Sequence, residues 1–202
     1  IQASVNIRPL TGTIPIDTGG WSLPAETCER LVHEIMEREP QTILECGSGA
    51  STALMATCLK KYNIEGQVFA LDHKPQFARA TRKLLARHEV EESATVVTAP
   101  LVTHAINGNS VEWYDFAAEE HLEKPIDLLL GDGPPGPSGS MARWPAVPLL
   151  KRHLAPDGLI LLDDGGRPDE RAAAQDWAER LGAEATLCGQ RRPYWVLSGC
   201  TN

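Results

Sequence analysis

The stretch Ile43-Leu44-Glu45-Cys46-Gly47-Ser48-Gly49-Ala50-Ser51-Thr52 decides the fold. It starts as a short apolar run, reaches a carboxylate at Glu45, turns through two glycines and enters a helical pattern over residues 51–61. A strand leading through a glycine-rich turn into a helix is the first βα unit of a ligand-binding α/β sheet. Glycine lets the backbone turn tightly and come close to a ligand. Two details narrow the ligand. A dinucleotide fingerprint needs a third glycine three positions after the second, and that position is Thr52. A carboxylate at the strand end would also repel a pyrophosphate, whereas it suits a ligand carrying an ammonium or sulfonium cation.

Outward from this loop the chain alternates. Residues 68–71 form a second apolar strand ending at Asp72, residues 95–98 a third, residues 126–130 a fourth ending at Gly131 and Asp132, and residues 159–162 a fifth ending at Asp163 and Asp164. Helices are expected over 75–88 (Phe77, Leu84 and Leu85 facing inward), 144–154 and 168–181. Another begins at Pro24, with Leu31, Val32, Ile35 and Met36 at helical spacing, and Pro40 stops it. The five strands are continuous apolar runs, the pattern of strands buried on both faces. Alternation with helices predicts a parallel sheet with right-handed crossovers. Residues 185–188 and 194–197 are too close for a crossover helix, so one of them must run antiparallel. The predicted fold is a Rossmann-like α/β three-layer sandwich, with a seven-stranded, mostly parallel sheet and one antiparallel strand near the C-terminus. Residues 1–23 read as an arm and 24–202 as one domain. Ligands of such sheets sit outside the strands' carboxyl ends, which here carry Glu45, Asp72, Asp132, Asp163 and Asp164.

Composition removes several alternatives. With 202 residues, 42% of them hydrophobic, the chain can bury a core without metals or disulfides. A formal net charge of −8 disfavours nucleic acid and anionic membrane surfaces as partners. No apolar run approaches the ~20 residues of a membrane span, and the opening IQASVNIRPL lacks a secretory pattern. Five cysteines without CxxC spacing suggest reduced thiols, and the six histidines are scattered. The expectation is a cytoplasmic protein, monomer or homodimer.

Taken in order, ILECGSGAST, FALD, IDLLLGDGPPG and LLDDG resemble the motif series of class I S-adenosylmethionine-dependent methyltransferases, nearest to the methyltransferase family 24-like group. TAPL (98–101), WYD (113–115) and RWPAVPLL (143–150) extend the resemblance. It implies that Glu45, Cys46, Gly47, Ser48, Gly49 and Ser51 hold the methionine end of S-adenosylmethionine, with S-adenosylhomocysteine as product. Asp72 would hold the ribose, with His73 beside it. Ala99, Pro100 and Leu101 would lie beside the adenine, and Asp132 would face the methyl group. The acceptor is expected to be a small molecule or a glycan, methylated at oxygen. An aminopropyltransferase and a non-catalytic cofactor-binding relative are the alternatives.

Methyl transfer needs an aligned nucleophile and, for a hydroxyl, a proton acceptor. Asp132 and Asp164 are the candidate catalytic residues, with His73, His104 and His153 as further candidates. Asp132, Asp163 and Asp164 leave neighbouring strand ends and could together bind Mg²⁺. Metal-dependent catechol-type methyltransferases resemble this arrangement, but there the second Asp precedes an Asn, and here Gly165 follows Asp164. No metal site is therefore assigned, and the acids are expected instead to cap their loop or pair with Arg167. Trp113, Tyr114 and Trp144 are expected in or near loops at the same sheet end, where aromatics stack on a sugar or ring substrate or serve as packing, and Trp21 is read as a residue that closes the pocket or anchors the core.

Overall fold

The computed structural model describes residues 23–199. The 1–23 arm, save Leu23, and the reading of Trp21 lie outside the described residues. In chain order the elements are α1 (Ala25–Arg38), β1 (Thr42–Cys46), α2 (Ala50–Tyr62), β2 (Gln67–Asp72), α3 (Pro75–Arg87), β3 (Ala94–Thr98), β4 (Leu101–Ile106), β5 (Asn109–Tyr114), α4 (Ala118–His121), β6 (Ile126–Gly131), α5 (Ala146–Leu150), β7 (Leu154–Leu162), α6 (Pro168–Leu181), β8 (Glu184–Cys188) and β9 (Tyr194–Ser198).

Local chemistry accounts for the helix ends. Pro75 and Pro168 sit in the first turns of α3 and α6, where a missing N–H costs nothing. Glu39, Asn63 and Gly182 close α1, α2 and α6 in the left-handed conformation. The long helix expected over 144–154 is instead the short α5 followed by a 3₁₀ turn at Lys151–His153.

Seven strands form one sheet in the order β3-β2-β1-β6-β7-β9-β8. Every pairing is parallel except those of β9, which runs antiparallel to β7 and β8. Alternate residues of each central strand feed two cores. Ile43, Leu128, Leu130, Leu159 and Leu161 pack with α1, α2 and α3. Leu44, Leu129, Ile160 and Leu162 pack with α5, α6 and Trp113. Burying each such side chain contributes roughly 1.5–3 kcal/mol, which explains why the strands read as unbroken apolar runs.

Two expectations change. Phe77 does not face the core: it is 53% exposed, whereas Leu85 is buried. Trp113 and Tyr114, expected in or near a loop, end β5, which pairs antiparallel with β4 as a separate hairpin.

The register positions the site. Cys46 pairs with Leu71 on one side and Gly131 on the other, and Gly131 pairs with Leu162. The next residue on each strand is therefore Asp72, Gly47, Asp132 or Asp163, set side by side along one edge. The order reverses between β1 and β6, so the crevice opens where the 47–49 loop and Asp132 diverge.

Candidate active site

A cleft of about 760 Å³ lies over this edge, a size typical of small-molecule sites. Gly47, Ser48, Gly49, Asp72, His73, Tyr114, Asp132, Arg143 and Asp164 all line it. Lys74, Phe77, Arg167 and Arg192 also line it.

The half of the cleft formed by the 47–49 loop and Asp72, where the cofactor is expected, is tied together by neutral donors. Gly47 has φ +117°, a conformation that L side chains rarely adopt, and its N–H donates to the Leu71 carbonyl at 2.9 Å. The Ser48 hydroxyl donates to Asp72 Oδ2 at 2.6 Å, and the Lys74 N–H donates to Oδ1 at 2.9 Å. Each carboxylate oxygen can accept more than one bond, so Asp72 keeps capacity for ligand hydroxyls. Glu45 is almost fully buried and does not line the cleft. Its Oε1 accepts from the Ser51 hydroxyl, and its Oε2 from the Thr52 hydroxyl at 2.6 Å. The Thr52 hydroxyl also accepts the Gly49 N–H at 2.9 Å. Burial pushes the Glu45 carboxyl up to about 7, against the opposing pull of the two hydroxyls.

The other expected cofactor contacts divide. Gly47, Ser48, Gly49, Asp72 and His73 reach the cleft. Cys46, Ser51, Ala99, Pro100 and Leu101 are not among its lining residues. Cys46 and Ala99 are wholly buried, and Cys46 acts through its carbonyl, which accepts the Asp132 N–H at 3.0 Å. His73 is half-buried, and burial lowers its pKa despite Asp72.

The other half of the cleft, around Asp132, is charged. Asp132 keeps 19% of its side chain exposed, and burial holds its pKa well above the ordinary range. Arg143 pulls it back, while Asp163, Glu45 and Asp164 add to the rise. The Arg143 side chain is only 5% exposed. It donates from Nη1 to the Asp163 carbonyl at 2.9 Å and from Nη2 to Asp164 Oδ2 at 2.8 Å and Asp132 Oδ1 at 3.3 Å. Burial works against its charge, but Asp132, Asp164, Glu170 and Asp163 outweigh that and raise its pKa. Arg167 pairs with Asp164 at 3.0 Å, as anticipated.

Sequence reasoning missed Arg143 as a site residue. One signal was available: a lone cation inside an otherwise apolar segment, Met141-Ala142-Arg143-Trp144. Tyr114, expected to stack on a ring or to pack, lines the cleft with its hydroxyl close to Gly133. His104 and His153 do not line the cleft. His104 Nε2 contacts the Tyr114 carbonyl at 3.1 Å, and His153 lies near Glu119. The Trp144 indole donates to Asp176 at 2.6 Å and stacks under Arg180, so it packs rather than lining the cleft.

Known proteins show the same architecture. Residues 44–165, more than half of the chain, match the family described as methyltransferase domain. No curated protein matches the sequence. Among solved structures, an O-methyltransferase from Bacillus cereus in complex with S-adenosylhomocysteine superposes with a TM-score of 0.65 at 14% identity, covering 98% of this chain and 91% of that one. The O-methyltransferase TomG from Streptomyces achromogenes, involved in tomaymycin synthesis and crystallised with S-adenosylmethionine, gives 0.64 at 15% identity, covering 100% of this chain and 91% of that one. A cofactor-bound Rv0187 from MTB gives 0.62 at 18% identity over 100% of this chain and 91% of that one. At these identities the likeness establishes the fold.

Proposed function

The chain belongs to the methyltransferase domain family, and on that premise we propose that it moves a methyl group from S-adenosylmethionine to an oxygen of a small-molecule or glycan acceptor. One observation carries the reading: the strand register sets Asp72, Gly47 and Asp132 side by side in a single cleft.

The residues present fit the cofactor. Asp72 offers carboxylate lone pairs to ribose hydroxyls. The 47–49 loop brings backbone close to the methionine end, and Glu45 acts from beneath by fixing that loop through Ser51 and Thr52. Bound there, S-adenosylmethionine supplies an electrophilic methyl group on a sulfonium. Asp132 lies across the crevice from the loop, where it takes the proton of an attacking hydroxyl. The cofactor would supply that methyl group to the hydroxyl oxygen, with the electron pair of its C–S bond left on sulfur, and the Asp132 carboxylate would hold the hydroxyl proton. The raised pKa of Asp132 suits a proton acceptor. Oxygen is favoured because the acceptor half holds this base, and because two of the similar structures are described as O-methyltransferases.

The cytoplasm is the proposed compartment, in keeping with the free thiols of Cys28, Cys46, Cys58 and Cys188. Among the described residues, no helix is long and apolar enough to cross a membrane.

Calorimetry tests the cofactor. S-adenosylmethionine and S-adenosylhomocysteine should bind and NAD should not. Asp72→Ala should weaken binding at least tenfold, since each charge-assisted ribose hydrogen bond is worth roughly 1.5–3 kcal/mol. Unchanged affinity in that variant would remove Asp72 from the ribose role. A preference for decarboxylated S-adenosylmethionine would move the reading to aminopropyl transfer.

A further inference from the structure

The strand-end acids that could hold a cation are already supplied with one. Oxygens of Asp132, Asp163 and Asp164 lie within 4.8 Å of one another, close enough to suggest a divalent-ion site. Arg143 already pairs with two of these carboxylates, those of Asp132 and Asp164. Its Nη2 sits between Asp132 Oδ1 at 3.3 Å and Asp164 Oδ2 at 2.8 Å, while Nη1 is fixed on the Asp163 carbonyl. Glu170 lies 3.8 Å from Nε. Mg²⁺ binds oxygen at 2.0–2.1 Å and usually retains several waters, so it would compete with the guanidinium for Asp132 Oδ1 and Asp164 Oδ2.

The backbone that leads to the arginine is also held. The segment before it is anchored to the start of α6: the Met141 N–H donates to Asp169 Oδ2 at 2.8 Å, and the Ser140 hydroxyl contacts the same oxygen. Arg167 and Arg192 form an outer layer of positive charge on Asp163 and Asp164. A guanidinium is planar, always charged and able to bridge several acceptors at fixed angles, which is what three oxygens from two strand ends require.

We propose that Arg143 is the permanent cation of this acid cluster, standing where a metal-dependent relative would need its ion, and that it positions Asp132 and Asp164 toward the acceptor. The proposal rests on the methyl-transfer reading for its purpose, but the cation's place can be tested separately. Arg143 is a positioning residue: it acts on the acceptor through the carboxylates it holds.

The test titrates Mn²⁺ into the protein and follows it by electron paramagnetic resonance, with S-adenosylhomocysteine calorimetry alongside. Wild-type protein should bind Mn²⁺ no more tightly than Asp132→Asn does. Arg143→Gln keeps a polar side chain but removes the charge, so it should bind one Mn²⁺ at least tenfold more tightly than wild type. Adding Asp132→Asn to that variant should abolish the gain. Mg²⁺ should raise the melting temperature of Arg143→Gln and leave wild type unmoved. Arg143→Lys, which restores a charge, should be blind to both ions. An Asp132-dependent Mn²⁺ signal in wild type, or no gain in folded Arg143→Gln, overturns the proposal. If Arg143→Gln does not fold, wild type and Arg143→Lys decide: an Asp132-dependent signal in either overturns it, and silence in both supports it. Failure of wild type to bind S-adenosylhomocysteine would instead count against the methyl-transfer reading, and the metal contrast would remain interpretable.

Discussion

The two halves of the cleft satisfy their buried acids by opposite means. On the cofactor side, Glu45 and Asp72 are met by hydroxyls of Ser51, Thr52 and Ser48 and by a backbone N–H, all within a few residues of the glycine loop or of Asp72 itself. On the acceptor side, Asp132, Asp163 and Asp164 are met by guanidiniums from Arg143, Arg167 and Arg192. Neutral donors bring no formal charge to the carboxylates they meet, and burial takes Glu45 up to about 7 despite them. Guanidiniums bring a full positive charge and fix geometry as well. The proposed cofactor half therefore holds its acids by hydrogen bonds alone, and the proposed acceptor half holds them as aimed, partly compensated groups.

The largest effect should follow from removing the acceptor-side charge. Asp132→Asn should lower methyl transfer by 10²–10⁴-fold, the usual range for general-base assistance. S-adenosylhomocysteine affinity should stay within about threefold of wild type, since Asp72 and the 47–49 loop are untouched. Turnover with a verified acceptor and calorimetry on the same preparation measure both. If affinity and turnover fell together, the two halves would not be separable. Full turnover would reduce Asp132 to a loop cap.

The same division explains what could be read in advance. The stretches 43–44, 68–71, 128–130 and 159–162 are apolar and, save half-buried Phe69, fully buried, so they read clearly as strands, whereas Asp127, Pro156 and Asp157 break the apolar pattern near the starts of β6 and β7. The loop after β1 is contiguous, so its glycines, Ser51 and Thr52 were visible together. The β4–β5 hairpin escaped notice because only part of it is buried. Its one clear signal was Asn107-Gly108, whose positive φ values of 52° and 79° make the tight turn between the strands. Phe77 has helical spacing with buried residues yet lines the cleft, because periodicity does not tell a core from a pocket. Arg143 was hardest to see. Its partners are 11, 20 and 21 residues away, and only the strand register brings them to one place.

A smaller effect should separate the halves by pH. Burial raises Glu45 to about 7 in the folded protein, from roughly 4.3 when unfolded. The folded state therefore holds more proton than the unfolded state across that window. Stability contributed by this group is complete below the lower value and is lost as pH rises through about 7. The loss is on the order of 3 kcal/mol by linkage. Glu45→Gln cannot ionise, so its melting temperature relative to wild type should climb between pH 5 and 7. A parallel pair of curves would mean that the carboxylate stays ionised and that its hydroxyl donors suffice.

The smallest effects concern the two glycines facing each other across the crevice, which are needed for different reasons. Gly47 is there for its backbone angle: a Cβ would lie 3.7 Å from the nearest atom of Asp132, an ordinary contact, but φ is +117°. Gly47→Ala should cost about 1–2 kcal/mol of stability, the penalty for an L residue in left-handed space, and no neighbouring substitution should recover it. Gly133 is there for room, since a Cβ would fall 2.4 Å from the Tyr114 hydroxyl and 3.1 Å from the Cys46 carbonyl. Overpacking of this kind typically costs 1–3 kcal/mol. Removing the hydroxyl should relieve part of it, so the double variant Gly133→Ala/Tyr114→Phe should be more stable than the two single effects added together. Urea denaturation of the four variants gives the coupling directly. Gly47→Ala combined with Tyr114→Phe should be additive within about 0.5 kcal/mol. Coupling there of the size expected at Gly133 would mean that the cofactor-side loop, too, is limited by space and not by its backbone angle.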